Sequence, residues 1–449
     1  MKKSTIRMIC FCILLVSVLK ITNSVFKIKH DDGIYGLTKF YELEEDSVDV
    51  LILGSSHAFE NFNTGLLWDE YGMSSFILAG SVQPMWNTYY YLKEALKTQT
   101  PQLIILEGYT TTLLSEYSDD SRIMKNTYGL KWSMDKINAV KISSSRERWG
   151  EFLLEYSQYH TRYTELSKED FFKDKGDVTY TDWKGFWCNM ETTPLEALDV
   201  SGVNEKDKLG KKTEQYYRKT IELAQENHIP ILIVISPWAG ITEEGQAKLN
   251  TAEDTADKGH LNFRGNQKYT TAVGKYMKEN FDISDHRGDP AYQTWQKDAD
   301  YISAMIENQL LVETTDKKIL LEKILNSKYC LCFSIDGNCI EEELYDWLQM
   351  MGISRDSANG IYYRNNDEGY IWKSGIGDEE QYFTLDTHDF CLKREIDQNN
   401  KDYVNQIIID NAEYKKVENG LNVVVYDIVT QRVIDSFGLN GDEGDQIVR

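Results

Sequence analysis

Four short apolar runs constrain this chain more than any other feature. Val48-Asp49-Val50-Leu51-Ile52-Leu53, ended by Gly54, is nearly continuous, as are Ser74 to Leu78, Leu103-Ile104-Ile105-Leu106 and Ile231 to Ile235. Runs of this kind suit strands of a parallel sheet covered on both faces. Helical spacing separates them. Pro84 to Lys97 repeats Met85, Tyr89, Leu92 and Leu96, with Pro84 placed for a helix start. Thr213 to Asn227 puts Tyr217, Ile221 and Ala224 on one face, and Asn266 to Phe281 does the same with Tyr269, Val273, Tyr276 and Met277. Strands alternating with helices predict an α/β domain built from βαβ units with right-handed crossovers. Thr110 to Lys212 is too long for one crossover and reads as a mostly helical insertion, rich in Tyr and Trp, on one side of the sheet.

The character changes near residue 300. Lys328 to Ile335 alternates like a strand, Val404 to Ile409 is apolar at most positions, and Gly420 to Asp427 with Arg432 to Phe437 flank a Thr-Gln turn. At 449 residues there is room for roughly two or three domains of about 150 residues. We expect a boundary between 285 and 320 and a β-rich α+β second domain over 315–449, with no internal repeat.

Charge narrows the function classes. With 49 Lys+Arg against 72 Asp+Glu the formal charge is −23, which argues against a phosphate-backbone binder and predicts no nucleic-acid partner. Polar glycans remain open as ligands. Seven Cys without a CxxC pair argue against a zinc ribbon or a dense disulfide framework, and no metal or cofactor is expected. Cys330 and Cys332 share a strand face with Cys339 beyond, and either buried thiols or a disulfide fits an exported domain.

The N-terminus is an export element. Lys2, Lys3 and Arg7 precede an uncharged run from Met8 to Leu19, interrupted by Lys20. A cleaved signal peptide, with Thr22-Asn23-Ser24 as a weak cleavage site, fits residues 1–27. So does a retained anchor whose Lys20 snorkels. Residues from about 30 onward then face outward, as a single-pass membrane protein or, after cleavage, a secreted one.

The chemistry-bearing residues sit at strand ends, where open α/β sheets bind ligands. Gly54-Ser55-Ser56-His57 follows the first strand, so a Ser hydroxyl opens a helix where backbone N–H groups and the helix dipole favour a developing anion. Ser is also a routine N-cap. Asp257-Lys258-Gly259-His260-Leu261-Asn262, after the fourth strand, supplies what a serine nucleophile needs: a base, and a carboxylate to orient it. Ser236, and the pair Asp285-His286, are weaker rivals. Trp86, Tyr89 and Tyr90 read as core or as sugar-stacking faces. Gly202 to Thr213 lacks phosphate-loop spacing.

These blocks, in this order, resemble the SGNH (GDSL-like) hydrolase superfamily, in its membrane-anchored branch related to the D-alanyl-teichoate export protein and alginate O-acetyltransferases. The resemblance covers about 45–285. It implies a flavodoxin-like three-layer α/β domain over 28–290, with the insertion at about 110–212. It implies Ser56 as nucleophile, His260 as base and Asp257 as its orienter, with the N–H groups of Ser56 and Gly80 lining the oxyanion hole. Two departures stand out. Ser55 replaces the Asp of the Gly-Asp-Ser turn, and Glu107-Gly108-Tyr109 stands where an Asn donor is usual. Asn87, or a residue of the insertion, is the expected substitute. His57, Asn87 and Asn262 are candidate substrate contacts. Ile408-Ile409-Asp410-Asn411, Gly420 to Asp427 and Val433 to Phe437 resemble the interleukin-like inducer domain, which implies a binding role for the second unit. The expectation is an exported serine esterase or O-acyltransferase acting on acylated cell-envelope glycans or teichoic-type polymers, beside a membrane-bound O-acyltransferase. The contrasting expectation is a non-catalytic envelope-binding or assembly protein with a degraded site.

Overall fold

The computed structural model describes residues 3–29, 31–112, 115–171, 183–196, 209–237, 249–325, 329–337, 342–354, 360–365, 369–374, 379–396, 403–440 and 446–449. Cys339, Lys328 and much of the second half of the insertion lie outside the described residues. The chain divides into two compact units, Met1–Ile302 and Ser303–Arg449.

The first unit opens with α1 (Lys3–Phe26), none of whose 24 residues is buried and which is long and apolar enough to cross a membrane. Next come α2 (Asp32–Phe40), β1 (Val50–Gly54), α3 (Ser56–Asn61), α4 (Thr64–Tyr71), β2 (Ser75–Ala79), α5 (Met85–Ala95) and β3 (Leu103–Glu107). The described part of the insertion holds α6 (Asp120–Thr127), α7 (Met134–Ser143), α8 (Trp149–Leu153), α9 (Tyr156–Tyr159) and tight helical turns at His160–Thr164 and Glu169–Phe171. Then α10 (Lys211–Glu226), β4 (Ile231–Val234), α11 (Phe263–Asn280) and α12 (Gln293–Val312) follow.

The four strands form one parallel sheet in the order β2-β1-β3-β4. Every residue of β1, β2 and β3 is buried, as continuous apolar runs require. β4 departs from that expectation: it is the last strand in the order, and Ile233 is 44% exposed. The core joins Leu51, Leu53, Phe76, Leu78, Ile104 and Leu106 to Trp86, Tyr91 and Leu92 of α5 and Tyr216 and Ala224 of α10. Trp86 and Tyr90 are therefore core side chains, not exposed sugar-stacking faces. Register matters for the site. Gly54 lies beside Ala79, and Leu106 beside both Leu53 and Ile233, so the segments after all four strands leave the sheet at one end.

The second unit is antiparallel. Its helices α13 (Lys317–Leu325) and α14 (Glu342–Met350) flank β5 (Cys330–Asp336), followed by β6 (Gly360–Asn365), β7 (Tyr370–Lys373), β8 (Glu379–Leu385), β9 (His388–Ile396), β10 (Tyr403–Ile409), β11 (Ala412–Glu413), β12 (Gly420–Asp427), β13 (Arg432–Asn440) and β14 (Ile447–Val448). One sheet runs β14-β13-β12-β5-β6-β7 and the other β11-β10-β9-β8. Leu331, Phe333 and Ile335 of β5 pack with Leu320, Ile324 and Trp347 of the two helices. Cys330 and Cys332 join Phe390, Leu392, Ile407 and Ile409 of the other sheet. Both thiols are buried.

Candidate active site

The site begins where β1 ends. Ser55 is the N-cap residue of α3, in extended conformation, and Ser56 is the first helical residue. Gly54 is required there: a Cβ would lie 2.7 Å from Glu107 Cβ and 3.0 Å from Ala58 Cβ. The close approach seats α3 on the sheet with Ser56 at the strand end, and α3 packs on both β1 and β2.

His260 arrives from 204 residues away. The loop carrying it is closed by the Ala256 N–H donating to the His260 carbonyl at 3.0 Å and a bridge between Thr255 and Leu261. It is tied to α3 by the Leu261 N–H, which donates to Asn61 Oδ1 at 3.0 Å. It ends at Asn262, the N-cap of α11, whose Oδ1 accepts from the N–H groups of Arg264 and Gly265.

The outcome is a continuous hydrogen-bonded chain. The Ser56 hydroxyl lies 2.8 Å from His260 Nε2 and donates to it. On the other side of the ring, Nδ1–H faces both carboxylate oxygens of Asp257 at 2.9 Å. Asp257 Oδ1 also accepts from the N–H groups of Gly259 and His260, at 2.7 and 3.0 Å. Partial burial alone would raise this carboxyl, but the hydrogen bonds from the His260 ring and the Gly259 N–H outweigh it, so Asp257 stays below the usual Asp value. A carboxylate fixed in this way sets the imidazole tautomer, leaving Nε2 free to accept a proton.

Three further side chains complete the site. Glu60, one turn after Ser56 on α3, places Oε1 3.5 Å from His260 Nε2, and Asn189 Nδ2 donates to its Oε2 at 3.5 Å. Burial pushes its carboxyl up to about 8, so it is mostly neutral at pH 7. His57 is buried, stacked on Tyr109 at 4.0 Å between ring centroids, with its own centroid 5.0 Å from that of His260. Burial, then proximity to His260, push it down to about 4, and its buried Nδ1 has no hydrogen-bond partner among the described residues. Glu107, fully buried at the end of β3, accepts from the Tyr109 N–H at 2.9 Å and from the Ser55 hydroxyl at 3.5 Å. Burial raises it to about 7 against the hydrogen bonds from Tyr109, Ser236 and Ser55. Its carboxyl supports the serine turn from beneath.

Other expected site residues fall elsewhere. Gly80 follows β2 at the same sheet end, where a Cβ would meet Asn126 Oδ1 at 2.4 Å. Asn87 is buried among helices: it donates to the Asn126 carbonyl at 3.2 Å and accepts from Ser143 Oγ at 3.1 Å. Its amide is committed to packing between the helices. Asn262 is fully buried with its amide committed to the α11 cap, Thr192 and the Glu253 carbonyl, so it positions the loop and is not placed to touch substrate. Ser236 donates to the His57 carbonyl at 3.5 Å. Asp285 pairs with Arg287, while His286 meets Asp49 at 2.6 Å before the start of β1. That pair serves the opposite end of the sheet. Glu60 and Asn61 were not singled out by sequence. Their signal is the α3 register: four and five residues after a candidate nucleophile, a short helix turns them inward.

A scan against protein-family models finds no match, and a search of curated proteins finds no significant match.

Proposed function

We propose that this chain is an exported serine esterase or O-acyltransferase of the SGNH type, its first unit a three-layer α/β domain of that superfamily. The reading rests on one observation: the unbroken hydrogen-bonded chain from Ser56 Oγ through the His260 ring to Asp257. Ser56 Oγ attacks the acyl carbonyl carbon while its proton passes to His260 Nε2. The oxyanion forms at the start of α3, where the N–H of Ser56 and that of Gly80 at the neighbouring strand end are its donors. The protonated imidazole gives its proton to the departing alcohol, leaving an ester on Ser56. Water or an acceptor hydroxyl then attacks, again losing its proton to Nε2, and Ser56 recovers it. Asp257 stabilises the imidazolium in both halves.

The apolar α1 and the charge of −23 favour an acylated cell-envelope glycan or teichoic-type polymer as substrate, and the resemblance alone implies a membrane-bound O-acyltransferase as partner. The second unit, in this reading an interleukin-like inducer-type module, binds glycan or another envelope protein. A non-catalytic binding protein is the second reading, favoured by Glu107: its carboxyl occupies the place of the usual Asn donor and is held by its own turn. Losing one oxyanion donor costs on the order of 100–1000-fold in rate.

Turnover of a chromogenic acetyl ester by the full chain decides between them. The enzyme reading expects hydrolysis that Ser56→Ala abolishes. Absence of turnover, or turnover equal in Ser56→Ala, favours the binder.

A further inference from the structure

Three exposed apolar side chains lie near the end of α1, and each is the immediate neighbour of a residue clamped onto that helix or onto the three residues that follow it. Asn23 donates to Glu155 Oε2 at 3.1 Å, and the next residue back, Leu154, is 69% exposed. The Phe26 carbonyl accepts from Arg162, and the following Tyr163 is 70% exposed. Lys29 donates to the Asp170 carbonyl, and the following Phe171 is 63% exposed. The Phe26 ring also meets Tyr156 edge-on at 5.7 Å. The segment from Leu154 to Phe171 is therefore a collar fixed to the last turn of α1, with large apolar groups left in solvent. An isolated exposed Leu needs no explanation, but three large apolar groups set round one helix end do.

We infer that this collar lies in the surface of the bilayer that α1 crosses, with Leu154, Tyr163 and Phe171 at headgroup level. The occupant follows from continuity. A helix of 24 residues is about 36 Å long at 1.5 Å per residue, against a hydrocarbon core of about 30 Å. Its last turn then reaches the interface, the level that amphipathic aromatic rings prefer. Ion pairing holds the collar at that height: Lys27 and Lys136 both meet Glu155, tying α7 to the same point. With a net charge of −23 the protein gains little from anionic lipid, so apolar contact and not charge makes this attachment. The collar fixes the first unit against the membrane instead of letting it swing on a tether.

Photo-crosslinking in phosphatidylcholine nanodiscs tests this on the full chain. p-Benzoylphenylalanine is placed singly at Leu154, Tyr163 and Phe171, with Leu14 of α1 as the membrane control; all four are more than half exposed, so the replacement leaves the core alone. The expected result is lipid adducts at all four positions, with collar yields comparable to that at Leu14 and unchanged by 0.5 M salt, a concentration that screens surface charge within about 5 Å. Lipid adducts at Leu14 but none at the collar would overturn the inference. So would collar adducts to a protein only, which would identify a docking partner. No adduct at Leu14 would remove the spanning helix on which the inference stands.

Discussion

Ser56, His260 and Asp257 form one hydrogen-bonded chain, and in the proposed activity their substitutions separate them. Ser56→Ala is expected to lower kcat for an acetyl ester by at least about 1000-fold. Asp257→Asn leaves the geometry but turns the His260 tautomer the wrong way, with an expected loss of roughly 100–10,000-fold. Comparable turnover by Asp257→Asn and the parent would contradict the assigned role of Asp257. Glu60 offers a test that needs no substrate. Its folded carboxyl titrates at about 8 against 4.5 for a free Glu, so between those values the native state holds a proton that the unfolded chain has released. That contribution is fully present below pH 4.5 and is lost as pH rises through 8. Glu60→Gln removes the titration, so its Tm relative to the parent should climb from pH 5 to pH 8 and then level off. A gap independent of pH would refute the buried neutral carboxyl. His57 acts in the opposite direction: held near 4 against 6.5 when free, it costs stability as pH falls below 6.5. The Asp257 and His260 pair was legible in the sequence because a base and its orienting carboxylate have a chemical reason to share one tight loop, while the choice of Ser56 within the Gly-Ser-Ser turn rested on the resemblance. Glu60 was not, since a Glu in a short helix reads as surface until the Asn189 segment covers it.

Elements explain why the relay holds its shape. The His260 loop is pinned between α3 and α11 by Asn61 and Asn262. Asn61→Ala leaves the buried Leu261 N–H without its acceptor, a cost of about 1–3 kcal/mol. It should lower Tm by several degrees and lower kcat while Ser56 remains labelled by a serine-reactive phosphonate. An unchanged Tm would show that the loop does not depend on this bond. Gly265→Ala is expected to be more damaging, because a Cβ would sit 2.2 Å from the Asp254 carbonyl oxygen. The four parallel strands could be read from the sequence because burial on both faces leaves continuous apolar runs. β8 could not: its residues alternate between half-buried and exposed, and Glu379-Glu380-Gln381 opens it. α4 was hidden by brevity, at 8 residues, and α12 lay where the sequence marked only a change of character.

At the scale of the molecule, each unit has a hydrophobic core of its own, one centred on the parallel sheet and the other on β5 with its helices and facing strands. A fragment from Ser303 to Arg449 is therefore expected to fold alone, with a strand-rich circular dichroism spectrum and a cooperative melt; a random-coil spectrum would contradict this. The proposed activity stands or falls on whether the Ser56 hydroxyl is an activated nucleophile. Labelling the full chain with a fluorophosphonate and mapping the adduct by mass spectrometry measures that directly. The account predicts one adduct on Ser56, formed at least about 100-fold more slowly in His260→Ala. No adduct, an adduct on Ser236 instead, or a Ser56 rate unaffected by His260→Ala would contradict it.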